Sequence, residues 1–352
     1  MAYLTIPNIQ ISAISACVPK NKECNRDYDW ISDKERDLLI QTTGIEYRRI
    51  APTHITTSDM CFASAENILN TLNINRDEIE ILLFVSQSPD YFLPATSIIL
   101  QDKLKLSKTT MAFDIQLGCS GYVYGLSVIS NLMNSGKFKK GLLLVGDKSS
   151  FSPAKTDKST YPIFGDAGTA TLLEYDSTAE EMHFNLQSDG SGYKAIIIPD
   201  GGMRNSYNEE SDKMIEVAPG IVRNRKNLEL DGIEVFNFSL REAVPNITNL
   251  LQHNQTNIEQ YDFFIFHQAN KLMNESIRKK LKIDPKKVPY SLKQFGNTSS
   301  ASIPLTMVTE LANEFSNKKT TILLSAFGVG LSWASASVTC NNLKCLPLIE
   351  IE

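Results

Sequence analysis

A layered α/β fold with helices covering its sheets, built from one unit used twice, is what this sequence predicts. Three observations carry that reading. Short apolar, β-branched runs alternate with longer helical patterns along the chain. The runs are apolar at successive positions, as in strands covered on both faces. Four blocks of the first half also recur, in the same order, in the second.

In chain order, Cys61–Leu72 places its apolar residues on one helical face. Ile79–Val85 (IEILLFV) follows as a buried strand, and Ser97–Leu106 as the next amphipathic stretch. Thr110–Ile115 (TMAFDI) reads as a strand, after which a glycine turn opens the helical run Gly121–Asn134. Leu142–Val145 (LLLV) closes the set. In the second half, Phe263–Phe266 (FFIF) is a strand, Lys271–Leu281 a helix and Thr321–Leu324 (TILL) a strand.

The repeats align these elements. Glu80–Asp90 (EILLFVSQSPD) matches Tyr261–Lys271 (YDFFIFHQANK), each a buried strand, a polar turn containing Gln, and then a helix. Leu117–Ser120 (LGCS) matches Phe295–Thr298 (FGNT), each a glycine turn opening a helix. Lys140–Asp147 (KGLLLVGD) matches Thr320–Phe327 (TTILLSAF), and Thr169–Leu173 (TATLL) matches Ala334–Val338 (ASASV). Gln87 precedes Cys119 by 32 residues and Gln268 precedes Asn297 by 29. Two similar halves are expected, residues 1–178 and 179–352.

Composition narrows the function. The 352 residues are 42% hydrophobic and 21% charged, a globular mix that excludes disordered and fibrous chains. A net charge of −5 argues against a protein that coats nucleic acid. The six cysteines form no Cys-x-x-Cys pair and the four histidines no paired spacing, so no disulfide framework and no metal site are expected. The opening MAYLTIPNIQISAIS lacks the basic and long apolar regions of a signal peptide, and no run approaches 18 apolar residues. A cytoplasmic, reducing setting without membrane insertion is the expectation.

Three residues stand where α/β folds place ligands, at turns following strands and opening helices. Cys119 follows the Gly118 turn at a helix start, where the positive end of the helix dipole favours a thiolate. A buried structural cysteine is the alternative. His267 ends the FFIF strand, as a base or donor, or as a hydrogen-bonded core residue. Asn297 sits in QFGNTSSASIP, as a site residue or an ordinary turn asparagine. The duplication brings all three to equivalent turns around a pseudo-twofold axis.

At this point the residues match a family. LGCSGYVYGL, FHQAN and FGNTSSASIP resemble the active-site segments of β-ketoacyl-acyl carrier protein synthase III, in the thiolase superfamily. TTGIEYRRIAP, IFGDAGTATLL and AFGVGLSW support the match, in the family's order and over nearly the whole chain. The resemblance implies a thiolase-like fold, two βαβ halves packed as a five-layer α-β-α-β-α sandwich. It implies that an acyl-CoA or acyl-carrier-protein thioester loads Cys119, with no cofactor, and that a malonyl thioester then condenses with loss of CO2. His267 and Asn297 would stabilise the enolate-like oxygen, and the backbone N–H groups of Cys119 and Val329 the acyl-transfer oxyanion. Leu93, Phe164, Asn270, Gly328 and Gly330 are the implied substrate-binding residues, and a homodimer the implied assembly. An acyl carrier protein is the implied partner. Lys271, Arg278, Lys279 and Lys280 are its candidate dock, the alternative being a solvated basic helix face.

The sequence departs from the family around the entrance. Leu38–Gly44 (LLIQTTG) lacks the family's Trp and Arg, which hold the CoA nucleotide. Lys158 replaces an Arg before IFGD, Leu272 replaces a basic residue after HQAN, and the oxyanion turn reads GVG. At the acyl pocket Leu93 stands where priming synthases place Phe, which suggests a longer or branched acyl group. Two rival readings are an acyltransferase that passes the acyl group from Cys119 to an alcohol or amine, and a non-catalytic acyl-binding subunit.

Overall fold

The computed structural model describes residues 2–316 and 318–352. Its principal strands are β1 (Ala2–Ile6), β2 (Ile9–Pro19), β3 (Ile81–Val85), β4 (Met111–Ile115), β5 (Lys140–Lys148), β6 (Asp166–Tyr175), β7 (Met182–Ser188), β8 (Phe263–Phe266), β9 (Lys319–Gly328) and β10 (Ser332–Asn341). The principal helices are α1 (Asp33–Thr43), α2 (Thr57–Thr71), α3 (Thr96–Lys103), α4 (Gly121–Met133), α5 (Gly232–His253), α6 (Lys271–Lys280) and α7 (Ser302–Glu310).

The strands form two sheets of like design. One runs β2-β6-β5-β3-β4 and the other β1-β7-β10-β9-β8. In the first, β2 and β6 are antiparallel, β6 and β5 antiparallel, and β5 and β3 parallel. In the second the series recurs with β7 and β10, β10 and β9, and β9 and β8. The repeated sequence blocks occupy corresponding strands. The chain ends exchange sheets, however. β1 pairs with β7, while Lys344–Cys345 and Ile349–Ile351 run parallel beside β2. A cut at residue 178 therefore does not separate the two sheets.

Strand composition explains the layering. In β3, Ile81, Leu83 and Val85 pack into a central core with α4, α7, β9 and β10, while Leu82 and Phe84 pack outward against α2 and α3. Neither face of β3 is left to water, which is why its sequence does not alternate. On the far side, Phe264, Phe266, Leu323 and Phe327 pack against α5 and α6. The order is helix, sheet, helix, sheet, helix. Each buried Leu, Ile or Phe stabilises the stack by about 1.5–3 kcal/mol relative to exposure.

The central helix α4 approaches its sheet closely because of its glycines. A Cβ on Gly121 or Gly125 would lie 2.8 Å from a Val85 methyl. This approach fixes the helix start, and with it Cys119, against the carboxyl end of β3. The strands run longer than their apolar runs suggest: β5 spans Lys140–Lys148 rather than Leu142–Val145, because its polar ends still pair with β6. Helix α5 lies outside the helical stretches legible in the sequence, with Pro245 interrupting its pattern. Among the described residues no helix is long and apolar enough to cross a membrane.

Candidate active site

Cys119 sits just before α4, half-buried, in the wall of a cavity of ≈ 410 Å³. Its sulfur is approached by the backbone N–H groups of Val329 and of Cys119 itself, and by the Ser299 hydroxyl. The approach of Gly328 is tight, since a Cβ there would lie 2.6 Å from the sulfur. Burial nevertheless wins over these donors and over the helix start. Burial foremost, with the nearby Asp147 carboxylate adding to it, pushes the thiol up to about 11. The thiolate expected from the helix dipole is therefore not the resting form.

His267 reaches the same cavity from the end of β8 and is 1% exposed. Its backbone is pinned on three sides. The N–H donates to the Ser325 carbonyl of β9 at 2.8 Å, Asn274 of α6 donates to its carbonyl at 3.0 Å, and Gln268 braces the turn through Phe266 and Ser291. Nδ1 meets Ser302 Oγ at 2.8 Å, and the ring also donates to the Ser299 carbonyl. That carbonyl can only accept, so the proton of the neutral ring belongs on Nε2 and Ser302 donates to Nδ1. Burial lowers the imidazole to about 4, so it is neutral across physiological pH.

Asn297 enters from the turn between the short helix Leu292–Phe295 and α7. Its N–H donates to Ile163 at 2.9 Å, and its carbonyl accepts from Gly165 at 3.1 Å, tying the turn to the IFGD segment. Its side-chain oxygen accepts the Ser299 N–H at 2.9 Å, leaving the NH2 free to face the cavity. A thiol from one half of the chain and two neutral hydrogen-bonding side chains from the other thus share one cavity.

Phe164, Asn270, Gly328 and Val329 also line it. Two other candidates do not. Gly330 is exposed beyond the cavity rim and lies against Ser332, where it shapes the turn. Leu93 is 82% exposed, beside exposed Tyr91 and Phe92, outside its own chain's cavity. Of the basic residues, Lys271, Lys279 and Lys280 are exposed. Arg278 is a correction: its guanidinium is taken up by Glu275 at 2.8 Å and the Ile283 carbonyl at 2.7 Å, so it locks the end of α6.

A second cavity of ≈ 290 Å³ shares Gly232 and Asn270 with the first. Thr42, Thr43, Ile233, Phe236 and Leu272 complete it, so two of the departures from the family pattern, in Leu38–Gly44 and at Leu272, meet at this mouth. Lys158 pairs with Glu35 at 2.7 Å. Sequence reasoning missed Ile196–Ile198, Leu230 and Val235 on the cavity wall, and also Asp147. The repeat carried a signal for the last, because KGLLLVGD aligns Asp147 with Phe327, another wall residue. Among the described residues no group of three His, Cys, Asp or Glu side chains could hold a metal.

Known proteins resemble this chain over nearly its whole length. The profile of the 3-oxoacyl-[acyl-carrier-protein] synthase III family matches residues 113–190, and that of the synthase III C-terminal region residues 251–340. A Campylobacter jejuni protein is 34% identical over 343 residues, covering 95% of this chain and 94% of the relative. The β-ketoacyl-[acyl-carrier-protein] synthase III of Streptococcus sanguinis is 30% identical, covering 94% and 98%. The crystal structure of a 3-oxoacyl-(acyl-carrier protein) synthase from Burkholderia xenovorans superposes with a TM-score of 0.93 at 36% identity, over 99% of each chain.

Fold and relatives together define a condensing enzyme of the thiolase fold. The chain belongs to the 3-oxoacyl-[acyl-carrier-protein] synthase III family.

Proposed function

We propose that Cys119 carries the acyl group and that His267 and Asn297 drive a decarboxylative condensation. Cys119 gives up its thiol proton to solvent, its thiolate attacks the carbonyl carbon of an acyl thioester, and the N–H groups of Cys119 and Val329 receive the oxyanion. The donor thiolate then leaves. A malonyl thioester next loses CO2, and the electron pair of the broken C–C bond passes into an enolate. The NH2 of Asn297 receives its oxygen together with the Nε2–H of His267, which is shared with the Ser299 carbonyl. Its carbon attacks the acyl-Cys119 carbonyl, and the Cys119 thiolate departs. Two neutral donors suit this step, because they stabilise developing negative charge without protonating the carbanion.

The single observation that carries this reading is the convergence of Cys119, His267 and Asn297 on one ≈ 410 Å³ cavity. The apolar mouth lined by Ile233, Phe236 and Leu272 supports entry of a slender thioester arm. An acyl carrier protein is the partner this favours, docked near Lys271, Lys279 and Lys280. A homodimer is supported by the exposed Tyr91, Phe92 and Leu93 beside the sheet edge at β4, and it would bring Leu93 to the partner's acyl pocket. Six free cysteines fit a reducing, cytosolic setting.

Intact-mass screening for acyl-Cys119 against a thioester library tests the loading step. Acylation lost in Cys119→Ser supports it, and no adduct with any thioester contradicts it. A Leu93→Phe variant with an unchanged acyl profile would remove Leu93 from the pocket.

A further inference from the structure

We propose that Asp147 is a positioning residue for the decarboxylation step, clamping the turn that orients His267 and Asn297 against the other half of the fold. This rests on the assignment of loading to Cys119 and of decarboxylation to His267 and Asn297.

Asp147 stands near the carboxyl end of β5 and is 3% exposed. One carboxylate oxygen accepts the Gln87 N–H at 2.7 Å and the Ser86 hydroxyl at 3.1 Å, both just past β3. The other accepts the Ser300 N–H at 3.2 Å and the Ser300 hydroxyl at 2.6 Å. Each oxygen thus faces a backbone N–H that can only donate, which favours the ionised carboxylate against the burial that raises its pKa. A single side chain joins two strand ends of the first half to a turn of the second.

That turn has one task visible in its bonds. Ser299 has φ +50°, a left-handed conformation uncommon for a residue with a side chain. In that conformation its N–H holds the Asn297 amide oxygen at 2.9 Å, and its carbonyl receives the His267 ring. Ser299 therefore sets the direction of both proposed donors, and Asp147 holds the next residue, Ser300. Such backbone persists where its surroundings hold it in place.

The carboxylate works against the first half-reaction. The titratable groups facing it are Cys119 at the start of α4 and Cys61 on α2, and its charge raises both thiols. The neighbouring Lys148 turns away to the carbonyls of Pro52 and Ile55, each at 2.7 Å. A buried charge that hinders thiolate formation is accounted for by its hold on the second half-reaction. The two half-reactions should then respond to its removal in opposite directions.

The test measures them separately in wild type, Asp147→Asn and Ser300→Ala. Loading is followed as acyl-Cys119 by intact mass across pH 6–9, and decarboxylation as CO2 released from a malonyl thioester by loaded enzyme. In Asp147→Asn an NH2 replaces an acceptor opposite a backbone N–H, so one end of the clamp opens. CO2 release should fall about 10²-fold, as for an angstrom-scale misplacement of a catalytic group. The loading profile should move to lower pH. Ser300→Ala should lower CO2 release less, with no shift in loading. Equal falls in both half-reactions, or unchanged CO2 release, overturn the proposal, and Ser300→Ala decides alone if Asp147→Asn does not fold. Wild-type enzyme that loads yet releases no CO2 would instead contradict the condensation reading.

Discussion

The Ser299 N–H donates to Asn297 Oδ1 at 2.9 Å, so the NH2 is the end of the Asn297 amide left for the cavity. The bond converts an ordinary turn asparagine into a directed donor. An aspartate at 297 would keep the Ser299 bond but turn a charged acceptor toward a forming enolate. We expect Asn297→Asp to lower CO2 release from malonyl thioester by at least about 10²-fold, the scale of losing one oxyanion donor. Loading of Cys119 should change by only a few fold. Equal loss of both half-reactions in a stopped-time assay would show that Asn297 has another role.

The resting thiol sets the pH dependence of loading. With Cys119 pushed up to about 11, the reactive thiolate increases with pH until that value. Loading rates should rise about tenfold per pH unit from 7 to 10. His267 stays neutral above about 4, so no second inflection is expected near pH 6 to 7. Single-turnover acylation measured by intact mass gives the profile. A plateau already reached at pH 7 would show that the helix start, not burial, governs the thiol.

Much of this arrangement was legible in the sequence, for physical reasons. Buried strands such as FFIF and ILLFV carry apolar residues on both faces, so their identity does not depend on distant partners. The doubled blocks placed Cys119, His267 and Asn297 at equivalent turns. What was not legible depended on long-range packing. Arg278 reads as one of a basic run, yet the fold turns it onto Glu275 and Ile283. Asp147 reads as the end of a strand, yet its partners lie 60 residues back and 153 ahead. The outer wall formed by Ile196–Ile198 and Leu230 comes from short strands whose pairing no local pattern announces.

Carrier recognition makes a separate demand on the exposed face of α6. With Arg278 engaged, Lys279 and Lys280 are the free charges of its last turn. Reversal of both to Glu should raise the KM for an acyl-carrier-protein substrate about tenfold or more at low salt. The KM for a small thioester should stay level. Unchanged carrier-protein kinetics would place the dock elsewhere.

Asp166 offers a test of the fold beneath the site. It accepts the Ala51 N–H at 2.7 Å, the Ser150 N–H at 2.9 Å and the Ser150 hydroxyl at 2.6 Å, and burial still raises it from 3.8 to about 6. The neutral acid is the form the folded chain favours. Its stabilisation is therefore complete below pH 4 and lost as pH rises through 6. Relative to Asp166→Asn, wild type should lose roughly 2 kcal/mol between pH 4 and 7. Urea unfolding of both proteins at each pH reads this difference, and parallel curves would contradict it.

The central claim is that Cys119 in one half and His267 with Asn297 in the other form a single condensing site. The most direct measurement is the CO2 released when isolated acyl-Cys119 enzyme meets a malonyl thioester, counted against the acyl groups lost from Cys119. The account predicts one CO2 for each acyl group, with a new carbon–carbon bond in the product. Acyl groups that leave Cys119 for an alcohol or amine without CO2 would contradict it.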